Sequence, residues 1–135
     1  MAERHRRGVL DTSVVIDLAE IPDERLPEEA TITAITLAEL SQGPHLASDE
    51  AVRAARVERL QVIEREYRAP LPFDERAARR FGALVSMVLA VGRHPRPRRL
   101  DLMIAATAAV NDLPLYTRNI DDFAGLGDAV TIVGA

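Results

Sequence analysis

Apolar positions come in short runs broken by polar or proline-rich joints, and the runs alternate between strand and helix character. Gly8-Val9-Leu10 leads into Asp11-Thr12-Ser13 and then Val14-Val15-Ile16-Asp17-Leu18. That order predicts a short strand, a turn, and a helix capped by Thr12 or Ser13. Pro22 and Pro27 bracket an acidic loop, and Thr31-Ile32-Thr33 then has the β-branched character of a strand. A second helix through Leu37-Ala38-Glu39-Leu40 stops at Gly43-Pro44. Ser48-Asp49-Glu50 supplies a cap and first-turn acids for a third helix, with Val52, Ala55, Leu60 and Ile63 near helical spacing.

The second half keeps the alternation. Ala69-Pro70-Leu71-Pro72 is too rich in proline for a central strand and reads as an extended connection or an edge. Asp74 caps a helix through Val91, and its stretch Phe81 to Val91 is apolar enough for core packing or an interface. Gly92 to Arg99 is a loop stiffened by Pro95 and Pro97, and Asp101 starts an alanine-rich helix, Leu102 to Val110. Pro114-Leu115-Tyr116-Thr117 reads as a strand, Asn119 to Phe123 as a short helix or turn, and Ala129 to Val133 as the last strand. The alternation predicts an α/β fold: a largely parallel central sheet of four to five strands, flanked by helices on both faces. At 135 residues, the whole of 1–135 reads as a single domain.

Composition narrows the chemistry. There is no cysteine, which removes disulfides, thiolate metal sites and cysteine nucleophiles. All 17 basic residues are arginine, so every mechanism that needs a lysine is removed as well. Histidines 5, 45 and 94 are scattered without ligand spacing. No apolar span reaches membrane length, and Met1 to Arg7 has basic residues without the apolar region of a secretory leader, so a cytoplasmic location is expected. The net charge of −4 argues against a nucleic-acid partner, but its distribution does not: residues 51–100 carry 12 arginines against 5 acids.

In parallel α/β sheets ligands bind beyond the carboxyl ends of the strands. Asp11 ends the first predicted strand, Glu39 lies one turn into the helix after the second, and Asp101 opens a helix. Asn119, Asp121 and Asp122 follow the strand that ends at Thr117. Taken alone, Asp101 is accounted for by the helix dipole and Glu39 by a solvated helix face. Gathered on one rim, the carboxylates repel and need a cation. Oxygen ligands without cysteine or paired histidines point to a hard divalent ion, Mg²⁺ or Mn²⁺, in the arrangement suited to phosphodiester cleavage.

Four blocks then carry a family resemblance. They are Val9-Leu10-Asp11-Thr12-Ser13-Val14-Val15-Ile16-Asp17, Ile35-Thr36-Leu37-Ala38-Glu39-Leu40, Asp101-Leu102-Met103-Ile104-Ala105-Ala106-Thr107-Ala108 and Leu115-Tyr116-Thr117-Arg118-Asn119-Ile120-Asp121-Asp122-Phe123. In order and spacing they resemble PIN-domain ribonucleases, specifically the VapC-type toxins of bacterial toxin–antitoxin pairs. The resemblance implies a single PIN-like domain and a Mg²⁺- or Mn²⁺-dependent endoribonuclease. Asp11, Glu39 and Asp101 would be its core acids and Asp122 the fourth, with Asp11, Asp101 and Asp122 on the metal.

Many members have an aspartate where this chain has Asn119, which is read as a polar neighbour able to orient a water or ligand. That departure leaves open one metal or two. Ser13 and Thr117 are expected to hydrogen-bond the site, and Thr12 to be structural. RNA contact falls to Arg93, Arg96, Arg98 and Arg99 of the loop before Asp101, and to Arg118. The resemblance also implies a homodimer and a VapB-like antitoxin partner. The alternative reading is a catalytically inactive PIN scaffold that binds RNA or a protein. A phosphate-transfer receiver domain needs a lysine that is missing. A haloacid-dehalogenase-like phosphatase needs a second aspartate where Ser13 stands.

Overall fold

The computed structural model describes residues 4–135; Met1 to Glu3, part of the segment read for a leader, lie outside the described residues. Four strands form one sheet in the order β2-β1-β3-β4: β1 (Arg7–Leu10), β2 (Glu29–Thr31), β3 (Leu115–Thr117) and β4 (Ile132–Gly134). Every pairing is parallel, so the sheet has the lower strand number expected and is wholly rather than largely parallel. The helices are α1 (Thr12–Ile16), α2 (Ala34–Gln42), α3 (Glu50–Glu66), α4 (Glu75–Ala90) and α5 (Arg99–Val110), with short 3₁₀ turns between.

Successive strand residues point to opposite faces, and here both faces are covered. Val9 and Leu115 pack with α4 and α5 through Leu84, Val88, Leu102 and Ile104. Their neighbours Leu10 and Tyr116 pack on the other side with Val14 of α1, Leu40 of α2 and Ile63 of α3. The alanines of α5 are almost fully buried, and small side chains there let the helix sit close against its neighbours. Gly8 answers to the same closeness: a Cβ on it would stand 2.7 Å from the Tyr116 ring. Along Phe81 to Val91 the core claims only part of the run, since Leu89 and Val91 remain exposed.

Several boundaries differ from the sequence reading, each for a local reason. The Asp49 and Asp74 side chains cap α3 and α4 as expected, accepting from Val52 and Ala77 N–H. Neither Thr12 nor Ser13 caps α1; Asp11 holds the N-cap position, and its side chain makes no cap bond. Strand β2 begins and ends two residues early because its register against β1 pairs Arg7 with Glu29 and Val9 with Thr31. Thr33 leaves the sheet to cap α2, its hydroxyl accepting from Thr36 N–H at 3.2 Å. Helix α5 starts at Arg99 rather than at Asp101, since a 3₁₀ turn over Arg96–Arg98 feeds it, with Pro97 pre-setting the backbone. The last strand starts at Ile132, because Gly127–Ala129 coil into a turn.

Candidate active site

Chain direction across the sheet decides where a crevice can open. From β1 the chain moves out to β2, and later returns to the other side of β1 to place β3 there. The switch point thus lies between β1 and β3, and their carboxyl ends frame the crevice where ligands bind in open α/β sheets. Asp11 follows β1 directly, and its N–H donates to the Tyr116 carbonyl of β3 at 2.9 Å.

Asp11 is 4% exposed, which is unusual for a carboxylate. Ser13 Oγ donates to its Oδ2 at 2.8 Å and Thr117 Oγ1 donates to the same oxygen at 2.9 Å. Its Oδ1 is buried and has no hydrogen-bond partner. An orphaned carboxylate oxygen is costly inside a protein unless a donor or a cation meets it. The two hydroxyls expected at the site, Ser13 and Thr117, are thus the ones that orient Asp11.

Glu39 comes from the second turn of α2, and Thr12 Oγ1 donates to its Oε1 at 2.8 Å. Thr12 in turn meets the Thr36 hydroxyl at 3.0 Å. Thr12, expected to be structural, thus ties α1 to α2 by holding the Glu39 carboxylate. The pattern gave no sign of this, because the partner arrives from 27 residues away. Burial pushes the Glu39 carboxyl above the ordinary range; the Thr12 hydrogen bond counteracts this and the negative charge of Asp11 adds to it.

Asp101, half-buried in the first turn of α5, is pushed up to about 6. Desolvation is the largest cause, followed by the charges of Asp11, Asp122 and Glu39, while Arg98 draws it down. Asp101 thus lies within electrostatic reach of three acids that come from three other segments of the chain. Asp122, in the 3₁₀ turn after β3, is held by Arg98, whose guanidinium donates to Oδ1 at 2.5 Å. Asn119 is exposed, and its backbone N–H donates to Thr117 Oγ1 at 3.0 Å.

The arginines divide by environment. Arg96 and Arg99 are exposed and line a pocket of about 480 Å³ together with Glu39, Asp101, Leu100 and Met103. Arg93 is turned onto the protein, donating to the carbonyls of Asp121 and Ala124 at 2.9 and 3.2 Å. Arg118 stands 3.9 Å from Asp17, and its N–H donates to Ser13 Oγ. Among the described residues no group of three or more Asp, Glu or His side chains is already arranged to hold a metal ion. With Asp122 turned to Arg98, the rim is an acid cluster with a cation of its own at one corner.

Fold and site together define an α/β domain whose acids converge on a switch-point crevice. Residues 8–128 match the model of the PIN domain, and the chain belongs to that family. It is 39% identical over 129 residues to Ribonuclease VapC5 of Mycobacterium tuberculosis, covering 93% of this chain and 91% of that protein. A crystal structure of VapBC-5 from Mycobacterium tuberculosis, a member of the VapBC family of toxin–antitoxin systems, superposes with a TM-score of 0.84 at 37% identity. That match covers 96% of this chain and 99% of the other. FitAcB from Neisseria gonorrhoeae gives a TM-score of 0.71 at 31% identity, over 93% of this chain and 95% of the other. No helix among the described residues is long and apolar enough to cross a membrane.

Proposed function

We propose that the chain is a divalent-metal-dependent endoribonuclease, the toxin of a toxin–antitoxin pair. The observation that carries it is the buried, unpartnered Oδ1 of Asp11, together with an Asp101 carboxyl raised first by desolvation and then by the charges of Asp11, Asp122 and Glu39. The likeness to Ribonuclease VapC5 supports the class of reaction. The likeness to VapBC-5 supports a VapB-like antitoxin as partner.

The residues fit a hard cation: the donors are all oxygen, one is buried without a partner, and their mutual repulsion is what a cation relieves. Asp11, Asp101 and Asp122 would hold Mg²⁺ or Mn²⁺, which when bound supplies Lewis acidity and charge neutralisation at the phosphodiester. Ser13 and Thr117 occupy Asp11 Oδ2, so Oδ1 is the oxygen that would be open to a cation. Thr12 occupies Oε1 of Glu39, so Oε2 is the oxygen that takes the proton of the attacking water. A raised pKa suits Glu39 to that task. Arg96 and Arg99, exposed beside the acids, offer the positive charge that RNA phosphates require. A homodimer belongs to the same reading, with exposed Leu89 and Val91 at the end of α4 as apolar surface for a second copy.

The test is cleavage of labelled single-stranded RNA by the purified protein with Mg²⁺ or Mn²⁺, beside an EDTA control and Asp11→Asn. Cutting that needs the ion and disappears in the variant supports the reading. RNA that binds equally to both proteins and is never cut assigns the chain to the inactive-scaffold alternative.

A further inference from the structure

Glu39 lines two pockets, one on each side of it. The first is the pocket it shares with Arg96 and Arg99. The second, of about 490 Å³, lies between α1, α2 and α3, and its walls include Ile16, Leu40, Val52, Ala55, Gln42 and Arg59. The helical spacing of Val52, Ala55, Arg56 and Arg59 brings these residues of α3 to one face, the one that closes the pocket. The lining thus combines the apolar Ile16, Leu40, Val52 and Ala55 with guanidinium and amide donors, the Thr12 hydroxyl and the Glu39 carboxylate.

We propose that this second pocket receives an unstacked base of single-stranded RNA adjacent to the scissile phosphate, with guanine preferred. The inference rests on the ribonuclease reading and deepens it. Apolar side chains give a base face something to lie against, and single-stranded recognition works by splaying bases into such pockets. Arg56 is pinned, one guanidinium nitrogen donating to the Gly43 carbonyl at 2.8 Å. Among the described residues Arg59 makes no ion pair. Its planar fork is free to meet two acceptors at once, which the O6 and N7 edge of guanine presents.

Charge also limits how far the RNA extends. Ile16, Ala55 and Arg59 also line an adjoining groove whose walls continue along α3 past Glu58 to Glu66, two acids that repel phosphates. The strand therefore runs from Arg96 and Arg99 across Glu39 to Arg59, and ends there.

Steady-state cleavage of short RNAs that vary at one position beside the cut tests this. Arg59→Gln and Ala55→Phe alter or fill the pocket from the face of α3 that closes it, and Arg80→Gln, in a different pocket, controls for lost charge. Arg59→Gln is expected to raise KM about tenfold with kcat within about twofold, and to flatten the guanine preference. Ala55→Phe is expected to do the same by occlusion, and Arg80→Gln to leave both intact. Unchanged KM and cut pattern in both pocket variants overturn the proposal. Variants that spare RNA cleavage but weaken a bound protein partner assign the pocket to that partner and overturn it too. If the wild type cuts no RNA, the ribonuclease reading itself falls; the former results leave that reading standing.

Discussion

Thr117 donates its hydroxyl to Asp11 Oδ2 at 2.9 Å, a bond that joins residues 106 apart in the chain. It ties the ends of two neighbouring strands through the side chains of the site itself. Site geometry and sheet integrity are therefore one structural fact. Thr117→Val keeps the shape and removes a donor to a buried charge, so it is expected to cost about 2 kcal/mol, and Thr117→Ser to recover most of that. Urea unfolding in EDTA measures it. A Val variant within about 0.5 kcal/mol of wild type would show that the bond orients without stabilising.

The proposed ion has a signature that does not depend on turnover. A ligand that binds only the native state stabilises it by about 2.7 kcal/mol at a hundredfold excess over Kd. Mn²⁺ or Mg²⁺ is thus expected to raise the melting temperature of the wild type, and Asp11→Asn or Asp101→Asn to blunt the rise. Coincident melting curves with and without millimolar ion would count against the shared site.

How much of this was legible beforehand depended on the kind of signal. The acid after Gly8-Val9-Leu10 stood out because hydrophobic periodicity marks a strand and its end marks a rim. Position after a strand or at a helix start then marked Glu39 and Asp101 and left Asn119, Asp121 and Asp122 open; only the resemblance to PIN-domain ribonucleases singled out Asp122. Side-chain direction was not legible. Nothing in the turn Asp11-Thr12-Ser13 reveals that Ser13 turns to Asp11 while Thr12 turns to Glu39. Nor does a basic loop reveal that Arg98 reaches Asp122 while Arg96 stays in solvent. These choices follow from tertiary packing, which brings in partners from 24 to 27 residues away.

Asp101 sets a pH dependence of stability in the absence of metal. Its native pKa of about 6 lies above the ordinary 3.8, so between these values the folded state holds more proton than the unfolded one. Stability therefore falls as pH rises through that window and stays lowered above it. After screening at this half-buried position the loss is about 1 kcal/mol. Asp101→Asn is expected to flatten that slope and to be the more stable protein at pH 7.5 in EDTA. Urea midpoints at pH 4.5 and 7.5 for the two proteins provide the comparison; parallel slopes would remove Asp101 as the source.

Arg98 is the cation the site already owns. Its guanidinium holds Asp122 Oδ1 at 2.5 Å and draws the Asp101 carboxyl downward. Arg98 holds one of the two Asp122 oxygens, so Arg98 and an ion that uses Asp122 compete for the same negative charge. Arg98→Gln removes the competitor and a nearby positive charge, and Mn²⁺ affinity at pH 8 is expected to rise about tenfold, or roughly 1.4 kcal/mol. The same change removes a charge that draws the Asp101 carboxyl downward, so without metal the pH window over which Asp101 lowers stability extends upward. In an Asp122→Asn background the gain in affinity should shrink, because the competition has lost its object. Equal Mn²⁺ affinities for wild type and Arg98→Gln, measured by calorimetry, would mean that Asp122 serves Arg98 and not the ion. The metal would then rest on Asp11 and Asp101 alone.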